Sequence, residues 1–370
     1  MKEYEGNKKN YRFLFAGGGT GGHLFPAVAV AEKIKSKIPD AEILFVGSKS
    51  KIEGKVVPSL GFNFCPIWIK GFNRRFSLEN ILFPFKVIVS IMQSIVINMN
   101  FKPQVAIGSG GYAAGPAIYA SSLFGTKIIL LEQNSYPGIT TRLLEKYADE
   151  IHISFDDSKK YLKHPDKIYT TGTPVRESLN SIDKASALKN FNLDPSKKTL
   201  LVLGGSLGAA SINEAVSNSI NFFKEKEIQL IWQTGKLYFQ NYKHLSSKNI
   251  IVKDFIEEMN FAYSACDLLL ARSGASTIAE LLTLVIPAIL VPSPNVAANH
   301  QYFNAKSLAE SNAAILVEDN LLKDKLQEVL SSVLFDDEKL KHLKMNAAKL
   351  SKADAAGIIA DRAIKFVEET

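Results

Sequence analysis

The stretch Tyr11–Ala27, YRFLFAGGGTGGHLFPA, decides the fold. Tyr11–Ala16 is a short run of aromatic and aliphatic side chains, the composition of a buried strand. It ends in Gly17-Gly18-Gly19-Thr20-Gly21-Gly22, and a helical pattern follows over Pro26–Ile38. Strand, glycine turn and helix make up the unit from which parallel sheets are wound. The unit returns at Thr199–Leu203, which ends in Gly204-Gly205-Ser206 and leads into a helix over about Ser211–Phe223. Around these two anchors lie further short apolar runs. In the first half they are Glu42–Val46, Gln104–Ile107, Lys127–Leu131 and Glu150–Ile153. In the second they are Ile228–Gln233, Ile250–Lys253, Leu268–Ala271 and Ala288–Val291. The expectation is an α/β chain with two doubly wound halves, closed by a terminal helix over Asp354–Glu368.

The length, 370 residues, suits two domains. With 46% apolar and 22% charged residues, the chain is neither disordered nor fibrous. The net charge of +7 is uneven: residues 1–110 hold fifteen Lys/Arg against seven Asp/Glu. That asymmetry points to an anionic partner, a membrane surface or nucleic acid, or to nothing beyond a basic surface. No aromatic-interleaved basic motif supports nucleic acid. Two cysteines, Cys65 and Cys266, stand far apart and outside any CxxC, so neither a disulfide framework nor a zinc pattern is present. The six histidines show no metal-binding spacing. Met1–Asn10 is polar and lacks the apolar core of a signal peptide.

The glycine turns carry the chemistry. Gly17, Gly19 and Gly22 fit GxGxxG, but the second strand ends Phe45-Val46-Gly47-Ser48, without the acidic residue that holds a dinucleotide ribose. His23-Leu24 stands where a P-loop needs Lys and Ser/Thr. What remains is backbone N–H at a helix N-terminus, a site for phosphate. Four turns qualify: Gly17–Gly22, Gly108–Gly111, Gly204–Gly208 and Ser273–Ala275. Two in each half suggest a cleft with phosphate on both sides. Each alone is equally a tight turn without a ligand. His23, directly after the first turn, reads as a general base or as a hydrogen-bonded loop histidine. Glu280, early in a helix, suits a ribose diol or simply the helix dipole.

Ile81–Met99 is nineteen residues with one charge, Lys86. Its length approaches a membrane span, but Pro84, Ser90, Gln93, Ser94 and Asn98 interrupt it. One reading is a buried helix of the wound fold. The other is a leading edge lying on anionic lipid, with Lys70, Arg74, Arg75 and Lys86 rimming Phe72, Phe76, Leu82 and Phe83.

Seven motifs then resemble one family in order and spacing: GGGTGGHLFPA at Gly17–Ala27, GSGGYAAGP at Gly108–Pro116, LEQNSYPG at Leu131–Gly138, TGTPVR at Thr171–Arg176, GGSLGA at Gly204–Ala209, RSGASTIAE at Arg272–Glu280 and NHQYFNA at Asn299–Ala305. The chain resembles the MurG family from about Tyr11 to its end. That resemblance implies a GT-B glycosyltransferase fold, two Rossmann-like domains with an interdomain cleft. The domains would be 1–175, facing acceptor and membrane, and 198–350, binding UDP-sugar, joined by a linker at 176–197. Residues 354–370 would pack back on the first domain. It implies inverting transfer of N-acetylglucosamine from UDP-N-acetylglucosamine to undecaprenyl-linked lipid I, giving lipid II, at the cytoplasmic face of the bacterial plasma membrane. No metal, cofactor or nucleic acid is implied. Thr20, Gly21, Gly22 and Asn134 would line the donor from the first domain. Arg176, Ser206, Ile256, Ala275, Ser276, Thr277, Ile278, Ala279, Glu280 and Gln301 would hold it from the second. Ile256 backbone would meet the uracil, Glu280 the ribose and Gln301 the sugar. Gly18, Gly19, Gly110, Gly111, Tyr112 and His23 would face the acceptor, with His23 as base. One departure is Leu207, where the family carries Gln, and a leucine makes no hydrogen bond to phosphate or sugar. The competing expectations are a related enzyme glycosylating another lipid such as diacylglycerol, and a non-catalytic module recruiting a partner to the membrane.

Overall fold

The structure is a computed structural model that describes residues 10–69, 83–176, 179, 181–205, 207–296, 299–352 and 354–369. The chain divides into two compact units, Met1–Arg176 with Asp354–Thr370, and Glu177–Ala353.

The first unit is built on seven parallel strands: β1 (Arg12–Gly17), β2 (Glu42–Gly47), β3 (Asn63–Pro66), β4 (Val105–Gly110), β5 (Lys127–Glu132), β6 (Glu150–Ile153) and β7 (Ile168–Thr170). Their order is β3-β2-β1-β4-β5-β6-β7. The second unit repeats the plan with β8 (Thr199–Leu203), β9 (Gln229–Gln233), β10 (Ile250–Lys253), β11 (Leu268–Ala271), β12 (Ala288–Leu290) and β13 (Ile315–Leu316), ordered β10-β9-β8-β11-β12-β13. In each sheet the order reverses beside the first strand, between β1 and β4 and between β8 and β11. Ligands of open α/β sheets bind at that reversal, beyond the carboxyl ends of the strands.

The central strands are mostly apolar because helices cover both faces of each sheet. Phe13, Leu14, Phe15 and Ala16 are fully buried, as are Leu200, Leu201 and Val202. Edge elements β3, β7 and β13 are only four, three and two residues long, too short to be marked as strands by period or composition. The helix after the first glycine turn runs Gly21–Lys37, so Pro26 lies inside it rather than at its start. Pro26 falls in the second turn, close to the end where the missing N–H costs least.

The terminal helix Ala355–Glu368 packs on Gly21–Lys37 within the first unit, with Ile359, Ala360, Ala363 and Val367 in that unit's core. Asp354 caps it, accepting from the Gly357 N–H at 2.9 Å. Arg176 groups with the first unit. Within the segment 176–197 expected as linker, Lys184–Asn190 is a helix capped by Asp183, and it packs on Met259–Ala265 with Ala187 and Leu188 buried.

A buried ionic cluster also ties the terminal helix down. Arg362 donates through Nε to Glu150 at 2.8 Å and again through its terminal nitrogen, while His152 Nε2 lies 3.0 Å from the other Glu150 oxygen. Burial pushes the Glu150 carboxyl up, but the hydrogen bonds from His152 and Arg362, with their charge, outweigh it and hold the group at about 2. A lowered carboxyl contributes stability that is present above its unfolded value, near 4.5, and lost as pH falls toward about 2. Arg362→Gln is therefore expected to destabilise the first unit at pH 7, and by less at each step below pH 4.5. Denaturant unfolding at several pH values measures this, and a penalty independent of pH refutes it.

The helix Phe83–Phe101 corrects the expectation of an ordinary buried helix. Its inward face is polar: Lys86, Ser90, Ser94 and Asn98, four apart, are buried. Asn98 accepts from Ser121 Oγ at 2.9 Å on the neighbouring helix Ala114–Ser122. Its outward face is apolar, with Phe85, Ile88, Met92, Val96 and Met99 all more than half exposed. Length and a mean hydropathy of 1.2 would let it cross a membrane, yet its polar side is packed and, among the described residues, its apolar side lacks cover.

Candidate functional site

In the first unit the reversal between β1 and β4 gathers the residues around His23. Pairing of β1 with β4 skips a residue, from Ala16–Gly108 to Gly17–Gly110. Ser109 is the extra residue, and its carbonyl is thus released from the ladder. It is His23 Nδ1 that meets this carbonyl, at 2.9 Å, with Gln133 Oε1 3.4 Å away. Both neighbours are acceptors, so the ring proton sits on Nδ1 and Nε2 is left as the basic nitrogen. The half-buried ring is fixed before any substrate arrives.

Glycine is required here by contact. A Cβ at Gly17 would lie 1.8 Å from Ser109 Oγ, and one at Gly111, where φ is +83°, 2.4 Å from the Gly18 carbonyl. A Cβ at Gly110, where φ is +97°, would lie 2.7 Å from His23 Nδ1. Gly110→Ala is expected to push the imidazole off the Ser109 carbonyl and lower turnover by about 10²-fold, the cost of a misplaced catalytic group. UDP affinity should stay unchanged in calorimetry. Wild-type turnover in that variant would show that the ring position is not critical.

Two buried carboxylates shape the loops, and sequence reading passed over both. Glu53, on the short helix Glu53–Ser59, accepts from the Gly19 N–H at 2.8 Å and the Ser48 N–H at 3.0 Å. The N–H of Gly19 is thus taken by an internal anion, and the first glycine turn is not an open phosphate cradle at that point. Its open donors are at Gly21 and Gly22, where no side chain caps the helix behind Thr20. Glu132 accepts from the N–H groups of Asn134 and Gly138 at 3.0 and 2.9 Å, from the Asn134 amide at 3.2 Å and from Thr141 Oγ1 at 2.6 Å. Asn134 is held by these bonds. Tyr112 is half exposed and meets Phe83 edge-on at 6.5 Å. Arg176 lies 4.2 Å above the Phe25 ring, inside the first unit, where sequence had assigned it to the second.

In the second unit the corresponding reversal holds the loop Gly204–Gly208 and the helix Ala275–Thr283. No side chain caps that helix, and its first internal bond runs from Ile278 N–H to the Gly274 carbonyl. The N–H groups of Ala275, Ser276 and Thr277 precede it, an arrangement that favours an anion. Ile278 and Ala279, expected in the binding set, point into the core instead. The helix packs there against the helices Asp337–Leu350 and His300–Glu310. Ser273 Oγ is occupied, donating to the Gln301 carbonyl at 2.8 Å. Gln301 Oε1 accepts from Ser293 N–H at 2.9 Å, which leaves its NH₂ to donate. Ile256 N–H already donates to Gln233 Oε1 at 2.8 Å, and only its carbonyl remains for a ligand. Gln233 also donates to the Gly205 carbonyl at 3.3 Å. Its place at the end of β9, beside the reversal, was the available signal for it. Leu207 is 66% exposed. Glu280 is half-buried and accepts from the Tyr263 hydroxyl at 2.6 Å.

Ser206 lies outside the described residues, as do Lys70, Phe72, Arg74, Arg75, Phe76 and Leu82. Lys86, expected at a lipid-facing edge, is corrected: it is 7% exposed and sits 5.7 Å from the Trp68 ring.

Residues 13–153 match the glycosyltransferase family 28 N-terminal domain and residues 199–359 the family 28 C-terminal domain. Two wound units with these domains define a UDP-sugar-dependent glycosyltransferase of the GT-B fold. A relative from Flavobacterium psychrophilum is 42% identical over 97% of this chain and 99% of its own. Another, from Bacteroides thetaiotaomicron, is 43% identical over 98% and 99%. Both bear the name UDP-N-acetylglucosamine--N-acetylmuramyl-(pentapeptide) pyrophosphoryl-undecaprenol N-acetylglucosamine transferase. The crystal structure of Acinetobacter baumannii MurG superimposes with a TM-score of 0.76 at 25% identity, covering 96% of this chain and 99% of that one. The chain belongs to the MurG family.

Proposed function

We propose that this enzyme transfers N-acetylglucosamine from UDP-N-acetylglucosamine to the 4-hydroxyl of muramoyl-pentapeptide pyrophosphoryl-undecaprenol, converting lipid I to lipid II in peptidoglycan synthesis. The observation that carries this reading is the likeness, at 40–43% identity over nearly the whole chain, to relatives named for that transfer.

The chemistry then needs a base, a held donor and a stabilised leaving group. The acceptor oxygen attacks the anomeric carbon from the face opposite UDP. The new C–O bond forms as the bond to the β-phosphate oxygen breaks, which inverts the anomeric centre and gives a β-1,4 link. His23 Nε2 takes the hydroxyl proton, while the loops at Gly18-Gly19 and Gly110-Gly111, with Tyr112, form the acceptor side. The departing UDP gains negative charge, and the N–H groups of Ala275–Thr277 with the helix dipole stabilise it in place. Ile256, Glu280 and Gln301 take uracil, ribose and sugar. Incubation with radiolabelled UDP-N-acetylglucosamine and a lipid I analogue should label the analogue. Labelling of diacylglycerol instead would support the related lipid glycosyltransferase, and binding without transfer the non-catalytic module.

The acceptor is anchored in a bilayer, so the enzyme works at its surface, on the cytoplasmic face of the plasma membrane. The outward face of Phe83–Phe101 supports this docking: a helix with its polar side packed and its apolar side uncovered suits an interface. Trp68, half exposed and edge-on to Phe85 at 6.1 Å, extends the face. The basic residues Lys70, Arg74 and Arg75 would add attraction to anionic lipid that weakens with salt. Met92→Glu with Val96→Glu should reduce flotation with anionic vesicles at least about tenfold, since each apolar side chain is worth about 1.5–3 kcal/mol of burial. Turnover on a soluble acceptor should persist. Undiminished flotation would place docking elsewhere.

A further inference from the structure

Tyr263 lies on the helix Met259–Ala265, seven residues beyond Ile256, and is 3% exposed. Its hydroxyl reaches across to the helix Ala275–Thr283 and donates to Glu280 Oε2 at 2.6 Å. This is a charge-assisted bond of the short, strong kind. Burial and the neighbouring Glu280 charge push the Tyr263 hydroxyl well above its ordinary value, so it remains a donor across working pH. The backbone between is tied as well: Ile256 N–H is bonded to Gln233, which donates in turn to the Gly205 carbonyl of the glycine loop. The segment 256–263 is thus fastened to the phosphate-side loop at one end and to Glu280 at the other.

A carboxylate recognises two adjacent hydroxyls only when its plane is fixed. A glutamate on a helix otherwise samples several rotamers, and ordering it on binding costs affinity. A buried donor on one oxygen removes that freedom beforehand. We propose that Tyr263 is a positioning residue for the donor nucleoside: by holding Glu280 it orients the carboxylate toward a ribose diol and sets the preference for ribo- over 2′-deoxyribonucleoside diphosphates. The proposal rests on Glu280 taking the ribose.

Calorimetry with UDP and with 2′-deoxyuridine diphosphate tests it. The wild-type chain should bind UDP more tightly. Tyr263→Phe should weaken UDP by about tenfold, equivalent to about 1.4 kcal/mol, and change the deoxy ligand by less than about twofold, so that the discrimination collapses. A hydroxyl with only a structural role would weaken both ligands alike, and that result overturns the proposal. Glu280→Gln separates the two claims. If it leaves the UDP preference intact, Glu280 does not take the ribose and the proposal falls with it. If it abolishes the preference while Tyr263→Phe does not, Glu280 stands and Tyr263 is excluded. The double variant should discriminate no less than Glu280→Gln alone. A further independent loss would show that Tyr263 acts by another route.

Discussion

Replacing His23 by alanine should lower turnover by about 10²–10⁴-fold, the range of general acid–base catalysis, with UDP affinity unchanged. The expectation comes from how the ring is held. The Ser109 carbonyl and Gln133 Oε1 both face Nδ1, which fixes the tautomer and leaves Nε2 to accept a proton. A base held this way pays little reorganisation when the acceptor hydroxyl ionises. His23→Asn sharpens the test, because its amide can still donate toward the Ser109 carbonyl while offering no base. If orientation of the loop were the whole role, the asparagine variant would recover activity. Both variants should stay inactive in single-turnover assays at saturating substrates. Turnover near that of wild type in either one would remove His23 as the base.

Glu280→Ala should nearly abolish UDP binding at ordinary ligand concentrations. One lost hydrogen bond to a charged group costs about 1.5–3 kcal/mol, and a carboxylate that meets two hydroxyls forfeits the upper end, an affinity lower by about 10²-fold. The substitution also leaves the buried Tyr263 hydroxyl without its acceptor, so a fall in thermal midpoint should accompany it. Glu280→Gln retains an acceptor for Tyr263 and isolates the charge. It should weaken UDP while sparing the midpoint. Calorimetry beside differential scanning measures both, and unchanged UDP affinity in the alanine variant would take Glu280 out of the nucleotide site.

How legible the site was depended on where each residue acts. His23 and Glu280 stood out because each is tied to a local pattern, a glycine turn and a helix start. Glu53, Glu132, Gln233 and Tyr263 did not. Glu132 gathers donors of its own irregular loop, at Asn134, Gly138 and Thr141, and the others act on groups distant in sequence: Glu53 on Gly19, thirty-four residues away, and Gln233 on Ile256, twenty-three away. No spacing rule reaches so far. The motif RSGASTIAE was found whole, yet its members diverge, since a helix packed on its neighbours turns Ile278 and Ala279 inward and leaves Ser276, Thr277 and Glu280 less buried.

The sequence by itself determined the α/β class, the two wound halves and the central strands. Those features rest on period and composition, and strands buried on both faces read as continuous apolar runs. It also marked the turns where β1 and β8 pass into helices, because only glycine allows the backbone to come so close. The tertiary structure decided the rest. The edge strands β3, β7 and β13, at two to four residues, are too short for a pattern and are fixed by pairing with their neighbours. The helix Phe83–Phe101 has an apolar composition that suggested burial, yet partners across the unit accept its polar side and leave the apolar side outward. The Ser109 bulge that fixes the His23 tautomer exists only where β1 and β4 lie side by side, as one residue too many in the pairing of two strands almost ninety positions apart.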